Sequence, residues 1–233
     1  MKHKIHRKVT KRHIQLRFQF LTAMLVSDEV TQFIHNMEPT NHVILFYDST
    51  ESKRRILNTY IVNGLENEKG ALYVCSEETP DQIREGLRAS GVDVEENESS
   101  GKLMIKYYDP FYIENGNVDP LNVINKWHGI LAEMNKMGLG LRGTGEMSCF
   151  FRHDKVRELM RYEYALHRVL PIQMEAICAY SIPTVVNTGY TDMIMPLIRA
   201  HGGAIFTTEK GTMIVEPDAI EDYEVERLLD IKI

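Results

Sequence analysis

Short apolar runs alternate with amphipathic stretches along most of the chain after residue 41. Residues 43–47 form a nearly continuous apolar run, and Ile56, Leu57, Tyr60 and Ile61 then recur at helical spacing. The same patterns predict further strands at 71–75, 103–107, 139–147, 174–180, 204–207 and 212–215, with helices at 80–90, 121–137, 154–170 and 192–200. Such alternation is typical of a mainly parallel sheet with helices on both faces. The predicted fold is therefore a three-layer α/β domain.

Residues 1–38 differ in character from the rest of the chain. Seven lysines and arginines precede the first acidic residue, Asp28. Phe18, Leu21, Met24 and Leu25 recur at helical spacing, which predicts an amphipathic helix that docks on the body or on a second subunit. A solvated basic tail and a weak nucleic-acid contact are the alternatives for the basic residues. We expect a basic N-terminal arm at 1–38 and an α/β domain at 39–233.

Composition narrows the class of protein. The chain has 233 residues, 43% of them hydrophobic, which fits one sizeable globular domain with a small appendage. A net charge of -6 makes the body a poor non-specific partner for polyanions. Three cysteines without Cys-x-x-Cys spacing favour a reducing compartment, and the chain shows neither an apolar run of ~20 residues nor a signal-peptide pattern. We expect a cytoplasmic protein with no membrane partner.

The first strand lacks the phosphate-binding loop that an ATPase of this fold class needs. A GxxxxGK[ST] loop would offer bare backbone N–H groups to the phosphates, but residues 48–53 read DSTESK and contain no glycine. Asp48 and Glu51 would also repel a triphosphate at the start of the next helix. The sequence therefore predicts no ordinary ATP hydrolysis and no cofactor.

The fourth strand carries polar side chains where a covered parallel strand should be apolar. Arg142, Thr144 and Glu146 alternate with Leu141, Gly143 and Gly145, so the three polar side chains share one face. Burying them is expensive unless the charges are paired. Two interpretations stay open: an internal bridge from Arg142 to Glu146 or Glu163, or a polar slot that a ligand completes.

The next predicted helix places Glu163 in the middle of its apolar face, with Tyr162 at the edge. A carboxylate there is either paired with a buried cation such as Arg142, or protonated with a raised pKa. Neither Cys-x-x-Cys nor HExxH spacing occurs, so we predict no metal site. Cys149 and His153 could form a nucleophilic pair at a helix start, but their separation does not fix their geometry, and we predict no catalytic residue.

Four segments carry a resemblance to the MEDS family, the methanogen/methylotroph sensory domain. They are residues 42–47 (HVILFY), 139–148 (LGLRGTGEMS), Tyr162 with Glu163, and 177–180 (ICAY). The resemblance implies a RecA-like fold, related to clock ATPases, that has lost its phosphate loop. It also implies a sensor of small molecules, proposed to include hydrocarbon derivatives, that accompanies signalling or transcription-control modules.

Ligands of open α/β sheets bind beyond the carboxyl ends of the strands. Combined with the positions that match the family, this rule selects the following ligand-binding residues: His42, Tyr47, Asp48, Glu77, Arg142, Thr144, Glu146, Ser148, Tyr162 and Glu163.

The function we expect is a non-catalytic sensor that binds a small organic molecule and relays to a regulatory protein partner, with homo-oligomer formation. Two alternatives remain. One is a degenerate RecA-like nucleotide-binding protein or ATPase in which Glu146 activates water, and the other is a ring or dimer assembly protein.

Overall fold

Seven strands form one sheet in the computed structural model, which describes residues 28–40, 42–166 and 172–215. The strands are β1 His42–Tyr47, β2 Lys69–Cys75, β3 Leu103–Tyr107, β4 Gly140–Glu146, β5 Glu175–Ser181, β6 Ala204–Thr208 and β7 Gly211–Val215. Their order across the sheet is β3-β2-β4-β5-β1-β6-β7. All neighbouring pairs are parallel except β6 with β7. The predicted mainly parallel sheet is confirmed, and the carboxyl ends of β1, β2, β4 and β5 share one edge.

Helices cover both faces of the sheet. They are α1 Asp28–His35, α2 Thr50–Glu66, α3 Pro80–Ala89, α4 Val94–Ser99, α5 Tyr108–Phe111, α6 Pro120–Lys136, α7 Ser148–Arg152, α8 Val156–Tyr164, α9 Ile182–Asn187 and α10 Ile194–Ala200, with a 3₁₀ turn at Thr191–Met193. Ser49 caps α2 and Thr79 caps α3, each in a capping box with the residue three positions later. None of the helices among the described residues is long and apolar enough to cross a membrane.

Two apolar cores lie on opposite faces of the sheet. One contains residues of α1, α2 and α3, such as Ile34, Ile56 and Leu87. The other contains residues of α6, α8 and α10, such as Trp127 and Leu159. This arrangement confirms the three-layer α/β fold that the sequence pattern predicts.

Local differences from the prediction have local causes. The helix predicted from residue 154 begins at Val156, because Asp154 has a left-handed φ of 56° that a helix cannot continue through. The short helices α4, α7 and α9 were not predicted, since five or six residues give little periodicity. Val30 and Ile34 of α1 are buried against the body, so the last part of the predicted arm belongs to the folded unit. The amphipathic helix predicted around Phe18, Leu21, Met24 and Leu25 lies outside the described residues.

Two glycines of β4 create room for aromatic side chains on one face. A Cβ atom at Gly143 would lie 2.7 Å from the Trp127 ring, and one at Gly145 would lie 1.9 Å from the Tyr112 hydroxyl oxygen. Gly143, next to Arg142 in β4, faces Trp127. Because side chains alternate along a strand, the Arg142 side chain lies on the opposite face of the sheet, toward α2. These two glycines of β4 therefore pack against aromatic side chains on one face of the sheet, and its polar side chains face α2 on the other.

Candidate functional site

The structure separates the predicted ligand-binding residues instead of gathering them in one cleft. Arg142, Thr144 and Glu146 face α2, whereas Tyr162 and Glu163 lie on the opposite face of the sheet with the α6 and α8 core. The Thr144 hydroxyl donates to the Ile177 carbonyl at 2.8 Å inside the sheet. The prediction therefore covers three distinct environments.

Arg142 lies near the amino end of β4 and ties four elements together. Its Nε donates to Glu175 of β5. Nη1 donates to the Tyr60 carbonyl at 3.0 Å and to Asn63 Oδ1 at 2.7 Å, and Nη2 donates to the Ile34 carbonyl at 2.9 Å. The guanidinium also lies 4.8 Å from the centre of the Tyr60 ring. A fully buried arginine with this many protein partners acts as a structural clamp.

Neither of the two Arg142 bridges left open by the sequence forms. Glu146 lies at the other end of β4, and Glu163 lies across the sheet. The partner is Glu175, which sequence reasoning did not consider, because only the register of β4 against β5 places it beside Arg142. The Glu175 carboxylate is also paired with Lys69.

A buried ionic cluster fills the carboxyl ends of β1, β2 and β4. We call it the strand-end cluster, and its members are Tyr47, Lys53, Glu77, Glu78, Glu146 and Ser148. Lys53 Nζ lies 2.5 Å from Glu146 Oε1, 2.9 Å from Glu78 Oε2 and 3.8 Å from Glu77 Oε2. The Ser148 hydroxyl donates to Glu77. Five of the predicted ligand residues, with Asp48 at the rim, therefore lie in or beside this cluster, but its centre is an unpredicted lysine.

Glu146 is fully satisfied by donors from the protein. Besides Lys53, it accepts from the Tyr73 hydroxyl at 2.9 Å and from the backbone N–H groups of Ser76 and Glu77, both at 2.6 Å. Burial alone would lower the pKa of Lys53, but Glu146, Glu78 and Glu77 outweigh it and raise that pKa, so Lys53 stays charged. Burial, Glu77 and Glu146 raise the pKa of Tyr47 well above its usual range, so its phenol stays neutral.

Lys53 lies on the first turn of α2, directly after the β1 loop. In a phosphate-binding loop, the same strand–loop–helix unit places a lysine against the nucleotide phosphates. Here three carboxylates, Glu77, Glu78 and Glu146, surround that ammonium instead. Sequence reasoning missed Lys53, although its spacing to Ile56, Leu57 and Tyr60 places it on the buried face of α2.

Asp48 is exposed at the edge of the strand-end cluster and accepts from the Ser52 hydroxyl at 2.8 Å. Burial acts to raise the Asp48 pKa, but the hydrogen bond from Ser52 and other hydrogen bonds lower it. The hydrogen bond from Ser52 supports the start of α2, next to the capping residue Ser49.

A second buried polar cluster surrounds Glu163 on the opposite face of the sheet. The Tyr180 hydroxyl donates to Glu163 Oε1 at 2.6 Å, and Cys178 Sγ lies 3.7 Å from Oε2. His201 Nε2 lies 3.4 Å from the same Oε2. We call Glu163, Cys178, Tyr180 and His201, with neighbouring His42, the Glu163 cluster.

Electrostatics in the Glu163 cluster settle the state of the carboxyl group. Burial acts to raise the Glu163 pKa, but His201, the Tyr180 hydroxyl and His42 hold it below its ordinary value. The carboxyl group is therefore ionised, and its partners are His201 and Tyr180, which corrects the pairing with Arg142 and the protonated state considered from sequence. Burial and His201 lower the pKa of His42 to about 4, so His42 is neutral at pH 7. Among described residues, Glu163, Cys178 and His201 are the group whose ligand atoms could hold a metal ion.

Tyr162 and Cys149 have structural surroundings. The Tyr162 hydroxyl accepts from Trp127 Nε1 at 2.9 Å and borders an internal void of about 10 Å³. Burial raises the pKa of Cys149 to about 12, which keeps the thiol protonated. His153 Nε2 lies 3.1 Å from the Tyr108 hydroxyl. Cys149 therefore lacks the lowered thiol pKa that the nucleophilic alternative requires.

A groove opens at the carboxyl end of β3, beside Asp109, a strand-end residue that lies outside the predicted ligand-binding set. Its volume is about 510 Å³. We call it the β3 groove, and its lining residues are Met104, Lys106, Tyr107, Asp109, Pro110, Phe111, Lys126, Gly129, Ile130 and Glu133. Lys126 Nζ donates to the carbonyls of Pro110 at 2.7 Å and Phe111 at 3.2 Å, which fixes one wall against α6.

The fold and the strand-end cluster together define a RecA-like α/β domain in which carboxylates take the place of a phosphate-binding loop. The family model described as MEDS, MEthanogen/methylotroph, DcmR Sensory domain, matches residues 41–201. The chain therefore belongs to the MEDS family, as its resemblance implied, and to a family of sensory domains. No curated protein matches it in sequence.

Among solved structures, the chain is similar to the KaiC-like protein PH0186 from the hyperthermophilic archaeon Pyrococcus horikoshii OT3. The TM-score is 0.57 with 16% sequence identity, over 76% of this chain and 79% of that chain. Identity at this level supports a shared fold alone, and it confirms the predicted RecA-like architecture.

Proposed function

We propose that this protein is a non-catalytic sensor that binds a small, largely apolar organic molecule in the β3 groove and passes the signal to a regulatory protein partner. Membership of a sensory family supports the sensory role. The observation that carries the choice of site is the groove itself, whose volume of about 510 Å³ suits a small ligand.

Two of the places marked by the predicted ligand-binding residues offer no room for an organic ligand. The void beside Tyr162 measures about 10 Å³, roughly the room that one water molecule needs. The strand-end cluster is filled by Lys53 and its carboxylates, and the side chains of Lys53, Glu78 and Glu146 are buried. The β3 groove also lies beyond the carboxyl end of a parallel strand, as ligand sites in open α/β sheets do.

The groove wall offers both apolar and polar contacts. Met104, Phe111 and Ile130 provide apolar surface, while Lys106 and Asp109 place charges at the margin. This combination favours a ligand with an apolar body and one polar group, because the polar group fixes orientation and the apolar body supplies affinity.

A chain of contacts connects the groove to the strand-end cluster. Tyr107 in the groove wall packs on Tyr108 with ring centres 4.6 Å apart, and the Tyr108 hydroxyl reaches His153 next to α7. Ser148, at the start of α7, donates to Glu77. A ligand that binds more tightly to one position of Tyr107 would also favour one position of α7. Such differential affinity for two states is what sensing requires.

The test fills the groove without disturbing the fold. Gly129 is an exposed residue of α6 that lines the groove, and a Cβ atom there meets no other atom within 4 Å. Gly129→Phe places a large side chain in the groove, and Gly129→Ala is the matched control that improves helix propensity without filling it.

The purified chain and both variants are screened by thermal shift against short-chain hydrocarbon derivatives. We expect at least one compound to raise the melting temperature of wild type and Gly129→Ala, and to have no effect on Gly129→Phe. Equal shifts in all three proteins would place the ligand elsewhere. No shift for any compound in wild type would count against the small-molecule proposal itself.

The two other functions are tested in the same samples. Hydrolysis of ATP by wild type that is lost in Glu146→Gln would support the ATPase alternative, but the carboxylates around Lys53 would repel a triphosphate. Light scattering of the full chain and of a chain that starts at residue 28 tests homo-oligomer formation by the arm. Nucleic-acid contact by the arm stays a prediction, whose signature is a steep salt dependence.

A further inference from the structure

Three chemically different metal-binding side chains meet in the Glu163 cluster, although they are far apart in sequence. Glu163 comes from α8, Cys178 from β5, and His201 follows α10. Their ligand atoms all lie within 4.8 Å of one another. We propose that these three residues hold one zinc ion. This site is independent of the β3 groove and of its ligand.

Two of the three distances between the ligand atoms are close to those of a tetrahedral ion. Zinc bonds of roughly 2.3 Å to sulfur and about 2.0 Å to nitrogen and oxygen give tetrahedron edges of about 3.3 to 3.5 Å. Cys178 Sγ lies 3.7 Å from Glu163 Oε2, and His201 Nε2 lies 3.4 Å from the same oxygen. The third pair, Cys178 Sγ and His201 Nε2, lies within 4.8 Å, and any excess over the tetrahedral edge must close when the ion binds.

The neighbours orient the ligand atoms as zinc requires. His201 Nδ1 lies 2.7 Å from the Leu197 carbonyl, which can only accept, so Nδ1 carries a hydrogen and Nε2 is the ring nitrogen that faces Glu163. Zinc-bound histidines usually make this second hydrogen bond. The Tyr180 hydroxyl occupies Glu163 Oε1, which leaves Oε2 toward the other two ligands.

Charge balance also favours zinc in this buried site. Zn²⁺ with one thiolate, one carboxylate and one neutral imidazole forms a neutral assembly, which reduces the penalty of burial. A proton on His201 is the rival solution, as an imidazolium paired with Glu163, and the experiment must separate the two.

The donor set favours zinc over the hard cations. Thiolate and imidazole favour zinc over Mg²⁺ or Ca²⁺, which take oxygen ligands. His42 is a neighbour that interacts electrostatically with both His201 and Glu163, but the ligand atoms that lie within 4.8 Å of one another are those of Glu163, Cys178 and His201. A zinc ion here would join β5, α8 and the end of α10, and would be taken up during folding.

The experiment measures metal in the full chain. The protein is unfolded in denaturant with a chelator, refolded with or without zinc, and analysed for bound metal by mass spectrometry. We expect about one zinc per chain and a higher melting temperature after refolding with zinc. Equal melting temperatures and no retained zinc would overturn the proposal in favour of the imidazolium pair.

Variants locate the ion. Cys178→Ser should lose retained zinc, whereas Cys149→Ser, at an equally buried thiol outside the cluster, should keep it. Refolding wild type with Co²⁺ gives a readout that needs no variant to fold, since a thiolate–cobalt charge-transfer absorption should appear. Absence of that absorption, or full zinc retention by a folded Cys178→Ser protein, would refute this site.

Discussion

The Lys53 ammonium lies 2.5 Å from Glu146 Oε1, and both side chains are fully buried. The pair joins the first turn of α2 to the carboxyl end of β4, at the edge of the sheet where this fold class binds ligands. Because Glu146 also accepts two backbone N–H groups, the carboxylate occupies a set of donors that a phosphate could otherwise use. Side chains of the protein itself therefore fill the position at this edge of the sheet where a phosphate could bind.

Removing the lysine should destabilise the protein strongly. Lys53→Met leaves Glu146 and Glu78 buried without their shared cation, which should lower the free energy of unfolding by about 3 to 5 kcal/mol. The double variant Lys53→Met with Glu146→Gln should recover part of this loss. Urea unfolding measures both, with exposed Lys102→Met as the control. A loss below about 1 kcal/mol, the usual value of an exposed pair, would contradict the central role of Lys53.

Arg142 should affect stability and leave ligand affinity unchanged. Arg142→Met breaks the clamp between β4, β5 and α2, and a loss of about 3 kcal/mol is expected because the Glu175 carboxylate loses its buried cation and keeps only Lys69. Any compound that binds in the β3 groove should bind a folded Arg142→Lys protein with unchanged Kd. Calorimetric titration at a temperature where the variant is folded tests this. A large loss of affinity there would restore Arg142 as a ligand-binding residue.

Gly145 should be coupled to Tyr112. Gly145→Ala places a Cβ atom 1.9 Å from the Tyr112 hydroxyl oxygen, and overpacking of this kind costs about 1 to 3 kcal/mol. Tyr112→Phe removes the oxygen and should reduce the penalty of the alanine. A double-mutant cycle measures the coupling energy. Additive effects would mean that the backbone of β4 moves instead.

Acid should weaken the strand-end cluster through Glu78. Burial acts to raise the pKa of Glu78, but Arg54 and Lys53 lower it below its ordinary value of 4.5. A lowered pKa means that the stabilisation is present above about pH 4.5, the unfolded value, and is lost as pH falls through the lower folded value. The free energy of unfolding of Glu78→Gln should therefore fall less than that of wild type between about pH 5 and 3. Urea unfolding measured at intervals of about one pH unit tests this. Exposed Glu66→Gln should follow wild type.

The sequence by itself determined the layers of this protein. Apolar runs such as residues 43–47 and 71–75, with helical spacing between them, report which side of each element is buried, and this information is local. The polar alternation of β4 likewise marked Arg142, Thr144 and Glu146 as facing one side. Absence of a glycine-rich loop after β1 also followed from sequence alone.

Only the tertiary structure decided which polar groups meet. Strand register brings Glu175 beside Arg142, and helix packing brings Lys53 to Glu146, although 93 residues separate that pair. Cys178 and His201 reach Glu163 in the same way, without any spacing motif. Periodicity describes each element relative to its own neighbours, whereas these contacts depend on how distant elements pack, and that is set by the whole core.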